Sequence, residues 1–169
     1  LGTLADRLDL ARLSLHGDLI VERRAPVQPM GRASVAPQPG GFLQATQAGE
    51  EAIAGLVVAA VGKARRVVDL FAGCGPFTLR LAERAQVHAV ESEAGALAGL
   101  DRAARFATGL KRITTEARDL YRRPLLEPEL NLYDAVVLDP PRAGAESQTR
   151  WLASSKVPLV VYVSCDLAT

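Results

Sequence analysis

The chain has 169 residues, 49% of them apolar, and a formal net charge of +1. This length suffices for one domain with a sizeable core, and no apolar run is long enough to cross a bilayer. The small net charge excludes a strongly basic nucleic-acid-binding protein. Two cysteines, Cys74 and Cys165, cannot form a disulfide framework and lack zinc-site spacing. Because the first residues lack the pattern of a signal peptide, we predict a soluble cytoplasmic protein.

Residues 1–43 differ in pattern from the rest of the chain. Short apolar runs over 12–15 and 19–22 flank a turn at 16–18, which predicts two strands. Prolines and glycines between Pro26 and Gly41 then mark loops. Because this segment is too small to pack alone, we interpret it as part of a small β-rich subdomain on the substrate side.

Residues 44–169 alternate between helical and strand patterns. Apolar spacing predicts helices over 47–61, 77–84, 94–106 and 146–154. Apolar runs predict strands over 67–70, 87–91, 112–115, 135–139 and 159–163. Because strands that alternate with helices pair in parallel, we predict an α/β fold with a doubly wound, mostly parallel sheet.

A glycine-containing loop follows the first predicted strand of this sheet. Gly73 and Gly75 allow the backbone to approach a ligand closely, and the start of the next helix favours an anionic group. About twenty residues later Glu91 ends a strand, where an acid can accept hydrogen bonds from both ribose hydroxyls. The Gly-x-Gly spacing favours S-adenosylmethionine over a dinucleotide. A glycine turn beside a solvated glutamate is the alternative.

The strand over 135–139 ends in Asp139, Pro140, Pro141 and Arg142. Two prolines make a rigid wall without backbone donors, which suits contact with a flat base that has left its stack. Asp139 is then expected near the cofactor or the base. A rigid loop that carries a surface aspartate is the alternative.

Cys165 follows the last predicted strand, at the end where α/β folds place their active sites. A thiolate is a strong nucleophile. Its addition to carbon 6 of a pyrimidine makes carbon 5 nucleophilic enough to take a methyl group. A lone cysteine is more often a buried structural residue, but the neighbouring motifs favour the nucleophile here. We assign no catalytic role to Cys74.

Together these motifs resemble those of the RNA uracil-5-methyltransferase family. The resemblance rests on segments 41–44, 69–75, 139–142 and 162–169, and it implies a class I methyltransferase fold, S-adenosylmethionine and 5-methyluridine in rRNA or tRNA. It implies a nucleophile at Cys165, and Asp139 as a residue that positions the uracil and cofactor. It also implies further cofactor-binding residues and a substrate-binding set; these are Gln44, Asp69, Phe71, Gly73, Gly75, Glu91 and Asp119 for the cofactor, and Pro140, Pro141 and Arg142 for the substrate.

The sequence also departs from the family pattern. Pro76 stands where many members have a polar residue, and Asp166 and Leu167 replace the commoner Asn-Pro. The family's proton-removing glutamate, its last sheet strands, its frequent N-terminal β-barrel and the iron–sulfur cysteines of some members have no match. We therefore expect a fragment that is inactive alone. Alternatives are a methyltransferase acting on an amino nitrogen or on cytosine, and a protein that binds RNA or cofactor without catalysis.

Overall fold

The structure, a computed structural model, describes residues 1–16 and 18–165. Asp166 and Leu167, and with them the end of the C-terminal motif, lie outside the described residues. The helices and strands follow in chain order: Gly2–Arg7 (α1), Arg12–Leu15 (β1), Asp18–Glu22 (β2), Gln28–Met30 (β3), Ala33–Val35 (β4), Gln47–Val61 (α2), Arg66–Leu70 (β5), Thr78–Leu81 (α3), Gln86–Glu91 (β6), Ala94–Phe106 (α4), Ile113–Ala117 (β7), Glu127–Leu130 (α5), Ala135–Leu138 (β8), Glu146–Ser154 (α6) and Val160–Tyr162 (β9).

A parallel sheet forms the centre of the molecule. Within the described residues its strands pair in the order β7-β6-β5-β8-β9, and all neighbouring pairs are parallel. Because the chain starts in the middle strand and moves first to one side and then to the other, the sheet is doubly wound. The predicted fold class is confirmed.

Both faces of the sheet are covered, as the apolar runs of its central strands require. On one face Val67 and Val137 pack with Val57 of α2. On the other face Val68 and Val136 belong to a second cluster that also contains Leu125 and Leu130. None of the helices in the described part of the chain has the length and apolarity that a bilayer crossing requires.

The N-terminal part contains two small antiparallel hairpins, β1-β2 and β3-β4. The predicted strands around residues 16–18 correspond to the first hairpin. The second lies where the prolines predicted loops, and that prediction is wrong. Met30 and Val35 are fully buried and pack with Leu97 and Leu100 of α4, which stabilises a hairpin of very short strands. The domain boundary at residue 43 stays a prediction.

Helix α3 is shorter than the predicted helix over 77–84. It makes a single turn, because Ala82 and Ala85 turn into the core and the chain enters β6 at Gln86. The N–H of Gln86 already donates to the carbonyl of Arg65, which fixes the entry to the sheet. Helices α1 and α5 were not predicted.

Candidate active site

A cleft of about 930 Å³ runs along the carboxyl ends of the parallel strands. Because parallel strands all end at the same edge, the residues that follow them converge there. Its lining takes residues from the end of every strand in the sheet: Phe71 and Gly73 after β5, Glu91 at the end of β6, Asp119 after β7, Asp139 after β8, and Ser164 and Cys165 after β9.

Most of the side chains that the sequence predicted as site residues line this one cleft. They are Gln44, Phe71, Gly73, Glu91, Asp119, Asp139, Pro140, Pro141, Arg142 and Cys165. Asp69 and Gly75 do not line it, and both lie behind the cleft wall. Their predicted contact with a cofactor is therefore indirect in this structure, through the loop that they support.

The two glycines of the loop serve different purposes. Gly73 has φ +54°, and a Cβ added to it would meet no atom within 4 Å, so the backbone here faces open space in the cleft. Gly75 has φ +92°, and a Cβ there would collide with the side chain of Leu100 in α4. Gly73 therefore leaves room for a ligand, whereas Gly75 allows close packing of the loop on a helix.

Phe71 is held in an unusual backbone conformation next to this loop. Its φ is +60°, a left-handed value that costs a non-glycine residue roughly 1–2 kcal/mol. Its ring lies 5.6 Å from the ring of Tyr121 in a tilted arrangement. The strained residue is thus fixed by an aromatic contact across the cleft.

The carboxylate of Glu91 organises the loops on both sides of it. One oxygen, Oε2, accepts a hydrogen bond from the N–H of Gly73 at 2.9 Å. The other, Oε1, accepts from the N–H and hydroxyl of Ser92 and from the N–H of Glu93. Oε2 keeps a free lone pair toward the cleft, since an ionised carboxylate oxygen can accept more than one hydrogen bond. An acid so fixed is a preorganised acceptor for a hydroxyl.

Asp69 is a fully buried carboxyl in the last turn of β5. Its Oδ2 accepts a hydrogen bond of 2.6 Å from the hydroxyl of Thr78, and its Oδ1 has no hydrogen-bond partner. Burial raises the pKa of Asp69 to about 7, and the nearby carboxylates of Asp139 and Glu91 raise it further. The neutral form of this acid is therefore well populated near pH 7.

Asp139 and Cys165 lie at the ends of adjacent strands and line the same part of the cleft. Burial raises the pKa of Asp139 to about 6. The Cys165 side chain is exposed, whereas Cys74 is buried, and burial raises the pKa of the Cys74 thiol. An accessible thiol is the one suited to attack a substrate.

Arg118 supports the loop on the β7 side of the cleft. Its guanidinium donates to the Glu129 carboxylate at 2.6 and 3.1 Å. It also donates to the carbonyls of Arg123 and Pro124 at 2.6 and 2.7 Å. These bonds close the chain over 118–124 into a fixed loop that presents Asp119 and Tyr121 to the cleft.

Sequence reasoning missed several residues that line the cleft: Glu50, Arg118, Tyr121 and, as a site residue, Phe42. Phe42 is 82% exposed at the cleft mouth. Its position two residues before Gln44 was the available signal. For Glu50 no local signal exists, because an acid in the first turn of a helix ordinarily faces water.

The architecture is that of the class I methyltransferase fold. The tRNA (uracil-54, C5)-methyltransferase of Pyrococcus abyssi, solved in complex with S-adenosyl-L-homocysteine, superimposes with a TM-score of 0.74. The match covers 89% of this chain and 37% of that one, at 22% sequence identity. The fold predicted from the sequence is confirmed by this similarity.

Sequence comparison points to a narrower group, bacterial RNA methyltransferases. A Mesorhizobium japonicum protein named as an uncharacterized RNA methyltransferase is 57% identical over 159 residues, 94% of this chain and 39% of that protein. The 23S rRNA (uracil(1939)-C(5))-methyltransferase RlmD of Chromohalobacter salexigens is 44% identical over 104 residues, 61% of this chain and 21% of that protein. No protein-family model matches the sequence. The resemblance that the motifs predicted is confirmed, and the chain spans about two fifths of its curated relatives' length.

Proposed function

We propose that the protein of which this chain is a part methylates carbon 5 of a uridine in RNA. The observation that carries the proposal is the convergence of Cys165, Asp139 and the Gly73 loop in one cleft. An accessible thiol beside a cofactor loop is the arrangement that methylation at a pyrimidine carbon requires, whereas methylation at an amino nitrogen needs no thiol. The similarity to a relative named as a uracil-C5 methyltransferase supports the same reading.

The residues of the cleft fit S-adenosylmethionine as the methyl donor. Glu91 offers Oε2 to the ribose hydroxyls, and Asp119 and Tyr121 lie on the adenine side. The open space at Gly73 accommodates the chain that joins ribose and methionine. Gln44 and Asp139 line the opposite end, where we place the reactive methyl group. When bound, the cofactor supplies a methyl group made electrophilic by its sulfonium.

The reaction follows from the chemistry of Cys165. Its thiolate adds to carbon 6 of uracil and leaves carbon 5 with enolate character, and carbon 5 then takes the methyl group. Loss of the proton on carbon 5 to a base lets the thiolate leave and restores the aromatic ring. By the resemblance, that base is a glutamate located after residue 169, so we expect the 169-residue chain alone to be inactive.

The uridine must leave its stack, because carbon 6 is inaccessible inside a helix. Pro140 and Pro141 form a flat apolar wall against which a flipped base can lie. Phe42, exposed at the cleft mouth, offers an aromatic face to a neighbouring base. Arg142 lies beside the prolines and is exposed, which suits contact with a phosphate.

RNA that contains 5-fluorouridine tests the proposal, since fluorine at carbon 5 cannot leave as a proton and the covalent adduct accumulates. We expect the full-length protein with S-adenosylmethionine to form an adduct that survives denaturing electrophoresis. Cys165→Ala is expected to abolish it. Cys74→Ala serves as the matched control and keeps the adduct. An adduct that persists in Cys165→Ala would refute the assignment, and 5-methylcytidine as the product would refute the substrate.

A further inference from the structure

Glu50 is a buried carboxylate in the cleft wall to which the proposed reaction gives no role. It is 2% exposed and lines the cleft. Its Oε2 accepts a hydrogen bond from the side-chain amide of Gln28 at 2.8 Å. Its Oε1 lies 2.8 Å from Nη2 of Arg80, but the two groups are not aligned for a hydrogen bond, and Oε1 has no hydrogen-bond partner. Because a buried charged oxygen without such a partner is costly, this atom marks a place for a donor.

Three observations place Glu50 next to the glycine loop. Helix α2, which carries it, packs with Phe77 and with Val67 of β5. Its partner Arg80 donates to the carbonyl of Pro76, at the end of the loop, at 2.8 Å. The charge of Glu50 also contributes to the raised pKa of the Cys74 thiol inside the loop. Glu50 therefore lies over the carboxyl end of β5.

The order of the strands fixes which part of the cofactor reaches this position. Glu91 ends β6 and Asp119 follows β7, so adenosine lies across those two strands. The methyl group must point toward Asp139 and Cys165, after β8 and β9. The methionine part then crosses the carboxyl end of β5, which is where Glu50 lies. It carries an α-ammonium group, a compact cation with N–H donors.

We propose that Oε1 of Glu50 binds the α-ammonium group of the methionine part of S-adenosylmethionine. The bond is a charge-assisted hydrogen bond in a site largely removed from water, the kind that contributes most to binding. Arg80 balances the charge of Glu50 when the cleft holds no ligand. This inference rests on the proposed cofactor, but it does not depend on the RNA or on Cys165.

The test compares two ligands that differ in the amino-acid part. S-Adenosylhomocysteine carries the ammonium group, whereas 5′-methylthioadenosine keeps the adenosine and sulfur but lacks it. Their affinities for the full-length protein are measured by calorimetry, with competition for the weaker ligand. Glu50→Gln is expected to weaken S-adenosylhomocysteine roughly 10- to 100-fold and to change 5′-methylthioadenosine less than about 2-fold.

Glu51→Gln is the matched control, because Glu51 is the next residue of the same helix but its side chain is exposed. It should leave both affinities unchanged. If Glu50→Gln fails to fold because Arg80 loses its counter-charge, the double variant Glu50→Gln/Arg80→Gln removes both charges and carries the test. Equal weakening of the two ligands, or none, would overturn the inference. A wild-type protein that binds neither ligand would instead refute the proposed cofactor.

Discussion

The buried carboxyl of Asp69 makes the stability of the fold depend on pH in a defined direction. Its pKa is about 7 in the folded protein, against an ordinary value of 3.8. Because the folded state prefers the protonated acid, this contribution to stability is complete below about pH 4 and is lost as the pH rises through 7. A rise of about three pKa units corresponds to about 4 kcal/mol, of which roughly 2–3 kcal/mol falls between pH 5 and pH 8.

Asp69→Asn removes the ionisation while it keeps an acceptor for Thr78. We expect the free energy of unfolding of the variant to fall less than that of the wild type between pH 5 and pH 8, by about 2 kcal/mol. Urea unfolding followed by the fluorescence of Trp151, the only tryptophan of the chain, measures this difference. Asp18→Asn removes an exposed carboxyl and controls for the loss of one charge. Equal pH dependence in wild type and Asp69→Asn would refute the reasoning.

Two further predictions concern the loops that shape the cleft. Gly75→Ala should lower the free energy of unfolding by roughly 2–4 kcal/mol, because its Cβ collides with Leu100 and its φ is left-handed. Gly73→Ala, which meets open space, should cost about 1 kcal/mol, and equal losses in urea unfolding would contradict the packing argument. Arg118→Lys cannot reproduce the fork that holds Glu129 and two carbonyls, so the affinity for S-adenosylhomocysteine should fall roughly 10-fold with little change in kcat at saturating cofactor. Arg122→Lys, at a side chain that is 87% exposed in the same loop, should change neither quantity, and an effect as large as that of Arg118→Lys would contradict the proposed support.

The sheet could be predicted because local sequence determines most of it. Strands β5 and β8 are short apolar runs buried on both faces, and such runs between helical patterns indicate parallel pairing. Helix α2 was predicted over its observed range, and the side chain of Thr46 caps its first turn by accepting from the N–H of Gly49. The β3-β4 hairpin could not be predicted, because its stability comes from contact with α4, about sixty residues away in the chain.

The site shows the same division between local and distant causes. Asp139 and Cys165 were predicted because each follows a strand, and parallel strands bring their carboxyl ends to one edge. Glu50 was not, since its burial depends on Gln28 and Arg80, which come from other elements. Periodicity describes which face of a helix is apolar, but it does not indicate which acid is enclosed by partners from elsewhere in the chain.

The unequal exposure of the two cysteines has a practical consequence. Thiol reagents react with thiolates, and Cys74 is both 7% exposed and shifted toward the unreactive thiol by burial. Cys165 is exposed at the cleft mouth. A maleimide dye used sparingly near pH 7 should therefore label the chain at one position without any substitution. A fluorophore attached there would report directly on what enters the cleft, and a bound ligand would slow its attachment.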